Sequence, residues 1–357
     1  MRTGTYEALA SFLVLVAAAS MRAEPGETPV RARVHMPAEG QRISGDLWLP
    51  PGAGPFPAVI LIPGGGPGNE APKANSPEGF QTLGSLAPLL AAKGIAVLLV
   101  IPRTGPETTL EDHARDVLAA TAYLGQRSEI GRGKIGLCGH SQGGIVAPIA
   151  AARSPDVAFV VLLAGPCTSL SEAAVAALER VLRSGGAGDA EIAQMRATHE
   201  IVFRALRDGK DLEPHRPALL KVFESHYARL PEEQKRRLGS AKDFAAGVAD
   251  RYVPKTAAAR FLLSYDPRAT LGKVRCPVLA LFAGHDPKAS LAANREPLLK
   301  SLPEGGDHTT MLIPAADHLF QDVDRPSPPQ LAPGVPDIVA GWILSRIGGA
   351  SPRASAR

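Results

Sequence analysis

Cysteine is scarce: the 357 residues include three, Cys138, Cys167 and Cys276. An odd number cannot all pair within one chain, and no two stand at metal-ligand spacing, so neither a disulfide framework nor a cysteine zinc site is expected. Their apolar, strand-like neighbours mark them as buried free thiols. Charge of one sign does not accumulate either. The formal net charge is +4, but acidic and basic residues alternate rather than gather into a stripe. That pattern excludes a nucleic-acid footprint, and runs such as Lys235-Arg236-Arg237 read as solvated helix faces. With 45% apolar and 21% charged residues there is no bias toward disorder and no fibrous repeat.

The most apolar stretch near the start, Ala8 to Ala19, is shorter than the ~18 to 20 residues of a membrane-spanning helix. It follows Arg2 and leads to small residues around Ser20 and Ala23, before Glu24 and Pro25. This layout is that of a signal peptide over residues 1–23, which implies a periplasmic or secreted protein without a stable membrane anchor.

A chain of this length suits one large domain carrying an insertion. Two strand-like runs between Arg31 and Trp48 are divided by Gly40 and read as an edge hairpin. Ala58 to Ile62 and Ala96 to Ile101 are continuous apolar runs, the pattern of strands covered on both faces. Short strands are expected also at Ile135–Cys138, Phe159–Leu163, Val278–Ala283 and Thr309–Ile313. Between them fall helical stretches: one ending at Lys93 before Gly94, then Leu110–Ser128, Ile145–Ala152, Ser290–Ser301 and Asp337–Arg346. Strands alternating with helices mean parallel βαβ units, hence an α/β fold with a mostly parallel sheet flanked by helices. The alternation stops from about Ser169 to Phe261, where the sequence is helical and charged and broken at Gly185, Gly209 and Gly239. A core over 31–168 and 262–347 with a helical cap over 169–261 is expected, followed by a disordered tail over 348–357.

Chemistry concentrates at the sheet's carboxyl edge. Gly139-His140-Ser141-Gln142-Gly143 matches the nucleophile elbow G-x-S-x-G and sits between a strand and a helix, where that motif has meaning. A serine hydroxyl needs a base within hydrogen-bond reach. His318 follows the Thr309–Ile313 strand and so emerges at the same edge, whereas His308 precedes that strand and opens at the other. His140 must point away from Ser141 and is read as a packing or hydrogen-bonding residue; His113, His199, His215 and His226 lie in helical stretches. The carboxylate that orients the base should fall between Ser and His in the chain, and Asp286, just past Val278–Ala283, fits. Asp266 and Asp307 precede strands, and Asp317 diverges from its neighbour His318. Charge developing on a carbonyl oxygen needs two backbone N–H donors. Gln142 is one candidate, and Gly65 in Gly64-Gly65-Gly66-Pro67 is the other. Neither phosphate-binding pattern, G-x-x-x-x-G-K-[ST] or G-x-G-x-x-G, accompanies that glycine run.

With these residues in place the chain resembles the α/β-hydrolase superfamily, and within it bacterial esterases near the dienelactone-hydrolase and serine-aminopeptidase branches. The likeness runs from Ala32 to Ile347 and includes Lys134-Ile135-Gly136-Leu137 before the elbow, Tyr265-Asp266-Pro267, Cys276-Pro277-Val278-Leu279-Ala280-Leu281 before the acid, and Asp317-His318-Leu319-Phe320 at the base. It implies an acyl hydrolase of small-molecule esters without metal or organic cofactor. The chain departs from its relatives in three places: Gly65 replaces a serine, Ile101-Pro102-Arg103-Thr104-Gly105 stands for an Asp-x-Arg-Gly turn, and prolines crowd the stretch after His318. A peptidase or amidase would use the same triad with a cap carboxylate, Glu172, Glu191 or Glu224, gripping an amino terminus. A non-catalytic binder on the same fold is the third reading. A dehalogenase would need a carboxylate where Ser141 stands. Acyl and alcohol specificity and oligomeric state are not legible in the sequence.

Overall fold

The computed structural model describes residues 28–65, 78–105, 107–252, 256–327 and 330–347. The expected signal peptide, Gly66, Gly348 and the residues after it lie outside them. Among the described residues no helix is long and apolar enough to cross a membrane.

Eight strands form one sheet. β1 (Val30–Ala38) and β2 (Gln41–Leu49) are the edge hairpin, turned at Gly40 with φ 73°. β3 (Phe56–Ile62), β4 (Ala96–Ile101), β5 (Ile130–His140), β6 (Val157–Leu163), β7 (Val278–His285) and β8 (His308–Asp317) run parallel to one another. The order is β1-β2-β4-β3-β5-β6-β7-β8, with the antiparallel hairpin joined through β2 to β4. The carboxyl ends of the six parallel strands therefore share one edge.

The central strands are apolar throughout because both faces are covered. Ile60, Leu98, Leu137, Val160 and Phe282 face one buried layer with α2 (Leu110–Gly125), α3 (Gly143–Ala151) and α11 (Leu291–Ser301). Their neighbours Val59, Leu61, Val97, Cys138, Val161 and Leu281 face the other, with α1 (Glu78–Ala91) and α12 (Val335–Ile347). The alternation follows from the two-residue period of a strand. Each fully buried aliphatic side chain stabilises the fold by roughly 1.5–3 kcal/mol, before conformational entropy is set against it.

Two strands exceed the apolar runs that announce them. β5 begins at Ile130, opposite Phe56, because its first half carries exposed Arg132 and Gly133 and a register shift that hide it from an apolar pattern. β8 continues past Ile313 through Pro314 to Asp317, where it still pairs with His285 after a register shift that leaves the extra residues in β8. As the sheet's last strand it is half solvated, so its pattern is weak.

Helices fill the chain between β6 and β7: α4 (Leu170–Ser184), α5 (Asp189–Arg207), α6 (Arg216–Ala228), α7 (Glu232–Leu238), α8 (Ala241–Tyr252) and α9 (Ala257–Ser264), then the short α10 (Arg268–Leu271). Ser169 caps α4 by accepting from the Glu172 N–H, and Gly185, Gly209 and Gly239 stand at breaks between helices. The amphipathic faces meet one another: Val202, Phe203, Leu206, Leu219 and Phe223 form an apolar cluster of this segment's own. Cys138 and Cys167 are buried free thiols as expected, whereas Cys276 is only half-buried.

Candidate active site

Ser141 follows directly on β5 in a left-handed conformation, φ 53°. Such a conformation costs a non-glycine residue about 1–3 kcal/mol and persists only where its surroundings enforce it. Here they do. The Ser141 N–H donates to the Leu163 carbonyl at 2.9 Å, and the Ser141 carbonyl accepts from Gly144 N–H at 2.8 Å. A Cβ on Gly139 would stand 2.1 Å from the Gly143 oxygen, and one on Gly143 would stand 2.1 Å from the Ile62 oxygen. Any side chain two residues before or after the serine would force β5, β3 and α3 apart.

The elbow presents Ser141 Oγ to His318, one residue beyond β8. Oγ lies 3.0 Å from His318 Nε2, and His318 Nδ1 lies 2.8 Å from Asp286 Oδ2. Asp286 follows β7, and its other oxygen accepts backbone N–H groups from Lys288 at 2.7 Å and Ala289 at 2.9 Å. Burial raises the Asp286 carboxyl, but hydrogen bonds from His318 and from the backbone N–H of Ala289 and Lys288 outweigh it and leave the group below its ordinary value. An ionised Asp286 accepts only, so Nδ1 of His318 carries the proton and Nε2 is free to accept from the serine hydroxyl. The arrangement can deprotonate Ser141 as it attacks and hold the resulting imidazolium.

Gln142 follows the serine and precedes α3, so its N–H belongs to the donor-rich end of that helix. Gly64, after β3, lies against the same spot: a Cβ on it would come within 2.8 Å of Ser141 Cβ and 3.4 Å of Gln142 N. Gly65, the next residue, is half-buried. The structure thus brings Gly64, the neighbour of the candidate donor Gly65, to the elbow that carries Gln142.

The remaining candidates sit elsewhere. Asp317 caps its own loop, accepting from Leu319 N–H at 2.8 Å and Gln321 N–H at 2.9 Å. Asp266 pairs with Arg268 at 2.7 Å and Asp307 with Arg346 at 2.7 Å. His308 opens β8 at the opposite edge of the sheet rather than preceding the strand. His113 donates from Nε2 to the Arg103 carbonyl at 3.0 Å, and His199 donates from Nδ1 to the Met195 carbonyl at 3.0 Å in α5. Among the described residues no three His, Cys, Asp or Glu gather as a metal-ligand group.

Sequence reasoning read His140 as a packing or hydrogen-bonding residue without naming its partner, and it missed two further contacts altogether. His140 Nε2 lies 2.8 Å from the His318 carbonyl oxygen. Thr82 Oγ1, on α1, donates to the Leu319 carbonyl at 2.9 Å. The turn after β4 is anchored by Arg103, whose Nε donates to the buried Asp116 at 2.8 Å. The basic-acidic pair Arg103 and Asp116 was visible as residues, but nothing local announces the Thr82 contact across 237 positions.

A cavity of about 380 Å³ also opens within the helical segment, lined in part by Glu172, Arg207, Asp266 and Arg268. No residue of the Ser141 site lines it, and Arg268 holds both of its nearby carboxylates, Glu172 at 2.7 Å and Asp266 at 2.7 Å.

Comparison with known proteins speaks to the family and the fold. Esterase EstD of Thermotoga maritima is 35% identical over 137 residues, which cover 36% of this chain and 32% of that protein. Among solved structures, the alpha/beta hydrolase GrgF from Penicillium sp. sh18 superposes with a TM-score of 0.53 at 16% identity, over 90% of this chain and 100% of that one. Proline iminopeptidase from Mycobacterium smegmatis does so with a TM-score of 0.51 at 19% identity, over 88% of this chain and 98% of that one. At such identities these two speak for the fold alone. The model of the alpha/beta hydrolase family matches residues 59–329, and the chain belongs to that family.

Proposed function

We propose that the protein is a serine hydrolase that cleaves carboxylic esters through an acyl-enzyme. The observation that carries this reading is the unbroken line from Ser141 Oγ through His318 to Asp286, with bonds of 3.0 and 2.8 Å. Ser141 attacks the ester carbonyl while His318 Nε2 takes its proton. The oxyanion so formed is held by the N–H groups of Gln142 and Gly65. His318 returns the proton to the departing alcohol, a bond breaks to leave Ser141 acylated, and water activated by the same base releases the acid.

Esters are favoured over peptides because two of the three carboxylates named for gripping an amino terminus are already engaged, and the third, Glu224, is exposed. Glu172 pairs with Arg268, and Glu191 is held by Arg229 and Ser225, which leaves neither free to grip an amino terminus. We take residues 169–261 as the cap that shapes the substrate entrance. The apolar stretch from Ala8 to Ala19 supports export to the periplasm or the medium.

Hydrolysis of p-nitrophenyl esters of graded chain length tests the reading, beside a Ser141→Ala variant. We expect turnover on short or medium chains and a loss of at least about 10³-fold in kcat in the variant. Turnover that survives in Ser141→Ala, or none on any ester by the parent protein, would sink it.

A further inference from the structure

The site holds a second buried histidine to which none of these steps gives a task. His140 ends β5 and is bonded directly to Ser141. It is 1% exposed, and its Nε2 lies 2.8 Å from the carbonyl oxygen of His318. A carbonyl oxygen only accepts, so Nε2 carries the proton and Nδ1 is bare. Nδ1 is buried and has no hydrogen-bond partner among the described residues.

We infer that His140 is a positioning residue: as a neutral donor to the His318 carbonyl, it locks the loop that carries the base against the strand that carries the nucleophile. The inference rests on the serine-hydrolase reading above.

His318 stands just past β8, on a loop that turns through Phe320 at φ 56°. Two long-range side-chain bonds hold that loop's carbonyls: Thr82 holds Leu319, and His140 holds His318 itself. The second joins the residue bonded to Ser141 with the backbone of the residue that receives its proton. Both reacting groups thus share a short frame that does not depend on the Ser141–His318 bond, which must break and reform in each cycle. A displacement of about 1 Å in such a pair costs up to about 10²-fold in rate.

The protonation state suits the role. The two rings are 5.2 Å apart, tilted by 52°. A cation at His140 would oppose the imidazolium that must form on His318. Burial prevents this, pushing the His140 ring down to about 4 despite its bond to the His318 carbonyl. A lysine or arginine at this position would donate equally well but would bring the charge.

Two variants and a substrate-independent probe test the inference. Gln at position 140 places an amide N–H as many bonds from the backbone as the imidazole Nε2, and Leu offers similar bulk with no donor. The rate at which a fluorophosphonate labels Ser141 reports the activated serine without a choice of ester, and kcat and KM on a p-nitrophenyl ester complete the readout. We expect His140→Leu to label about 10- to 100-fold more slowly and to lose kcat to the same extent, with KM within about twofold. His140→Gln should stay within about threefold of the parent. Parent-like labelling of His140→Leu, or a Gln variant as slow as the Leu variant, overturns the inference and leaves the hydrolase reading intact. A parent protein that the probe does not label at Ser141 overturns both. Should His140→Leu fail to fold, nitrogen-15 NMR of the parent's imidazoles decides. A neutral Nε2–H tautomer at pH 6 supports the role, and an Nδ1–H tautomer or an imidazolium there overturns it.

Discussion

Gly64 and Asp286 show how little room the site leaves to a single residue. A methyl group on Gly64 would stand 2.8 Å from Ser141 Cβ and 2.9 Å from the His140 oxygen, both on the elbow and neither able to retreat without moving β5. Gly64→Ala should therefore lower kcat by about tenfold or more while the protein still folds, as steady-state kinetics beside circular dichroism will show. Asp286→Asn keeps the shape of the side chain and removes the charge. Its amide can donate where the carboxylate accepts from His318 Nδ1–H and from the N–H groups of Lys288 and Ala289. The imidazole then favours the wrong tautomer, and kcat should fall by about 10³- to 10⁴-fold with KM little changed. A variant that keeps a tenth of the parent's kcat would remove Asp286 from the mechanism.

At the scale of elements, the structure supplies the reason the turn between β4 and α2 holds. Arg103 reaches into the flank of α2 and binds the buried Asp116 through two nitrogens, while its carbonyl accepts from His113. Thr109 caps the same helix in a reciprocal box with Asp112. Asp116→Ala removes one partner of a largely buried pair and strands the guanidinium, so it should destabilise the protein by about 3 kcal/mol in denaturant unfolding. A change under about 1 kcal/mol would mean that the turn is held by its capping box instead. This turn was legible in part: Leu110 to Leu124 repeats at helical spacing and predicts α2, yet no spacing rule links Arg103 to a residue on the helix's inner face. The same limit applies to β8. Its apolar run ends at Ile313, and only pairing with β7 carries the strand on to Asp317 and sets His318 beside Ser141.

For the molecule as a whole, histidines that are buried (His140, His199) or half-buried (His113, His226) tie stability to pH. Burial pushes His140 to about 4 and also lowers His113, His199 and His226. In the unfolded chain these rings bind protons below about pH 6.5. Between that value and the lower folded values, the unfolded state holds protons that the folded state does not. Their stabilising contribution is thus complete above about pH 6.5 and is lost as pH falls toward 4. His140 alone accounts for on the order of 3 kcal/mol across that window. Asp286, whose folded value lies below its ordinary one, adds a second loss as pH falls further. The thermal midpoint should therefore decline steadily from pH 7 to pH 4, and His140→Gln should flatten the slope. A midpoint constant over that range would show that these rings titrate freely.

The sequence by itself determined the α/β architecture, the place of the helical segment and the choice of Ser141, Asp286 and His318, which the structure brings within hydrogen-bond reach of one another. Each of these is written in local spacing: apolar runs of strand length, glycines two before and two after Ser141, and side chains just past a strand's end. Tertiary structure alone decided which backbone carbonyl His140 grips, that Thr82 reaches Leu319 from α1, and that Gly64 closes on the elbow from β3. These contacts join residues brought together by the strand order β3-β5-β6-β7-β8, which no local period encodes. The physical reason is that a parallel sheet with helical crossovers places chain-distant strand ends side by side, so a site at its carboxyl edge is assembled across the sheet rather than along the chain.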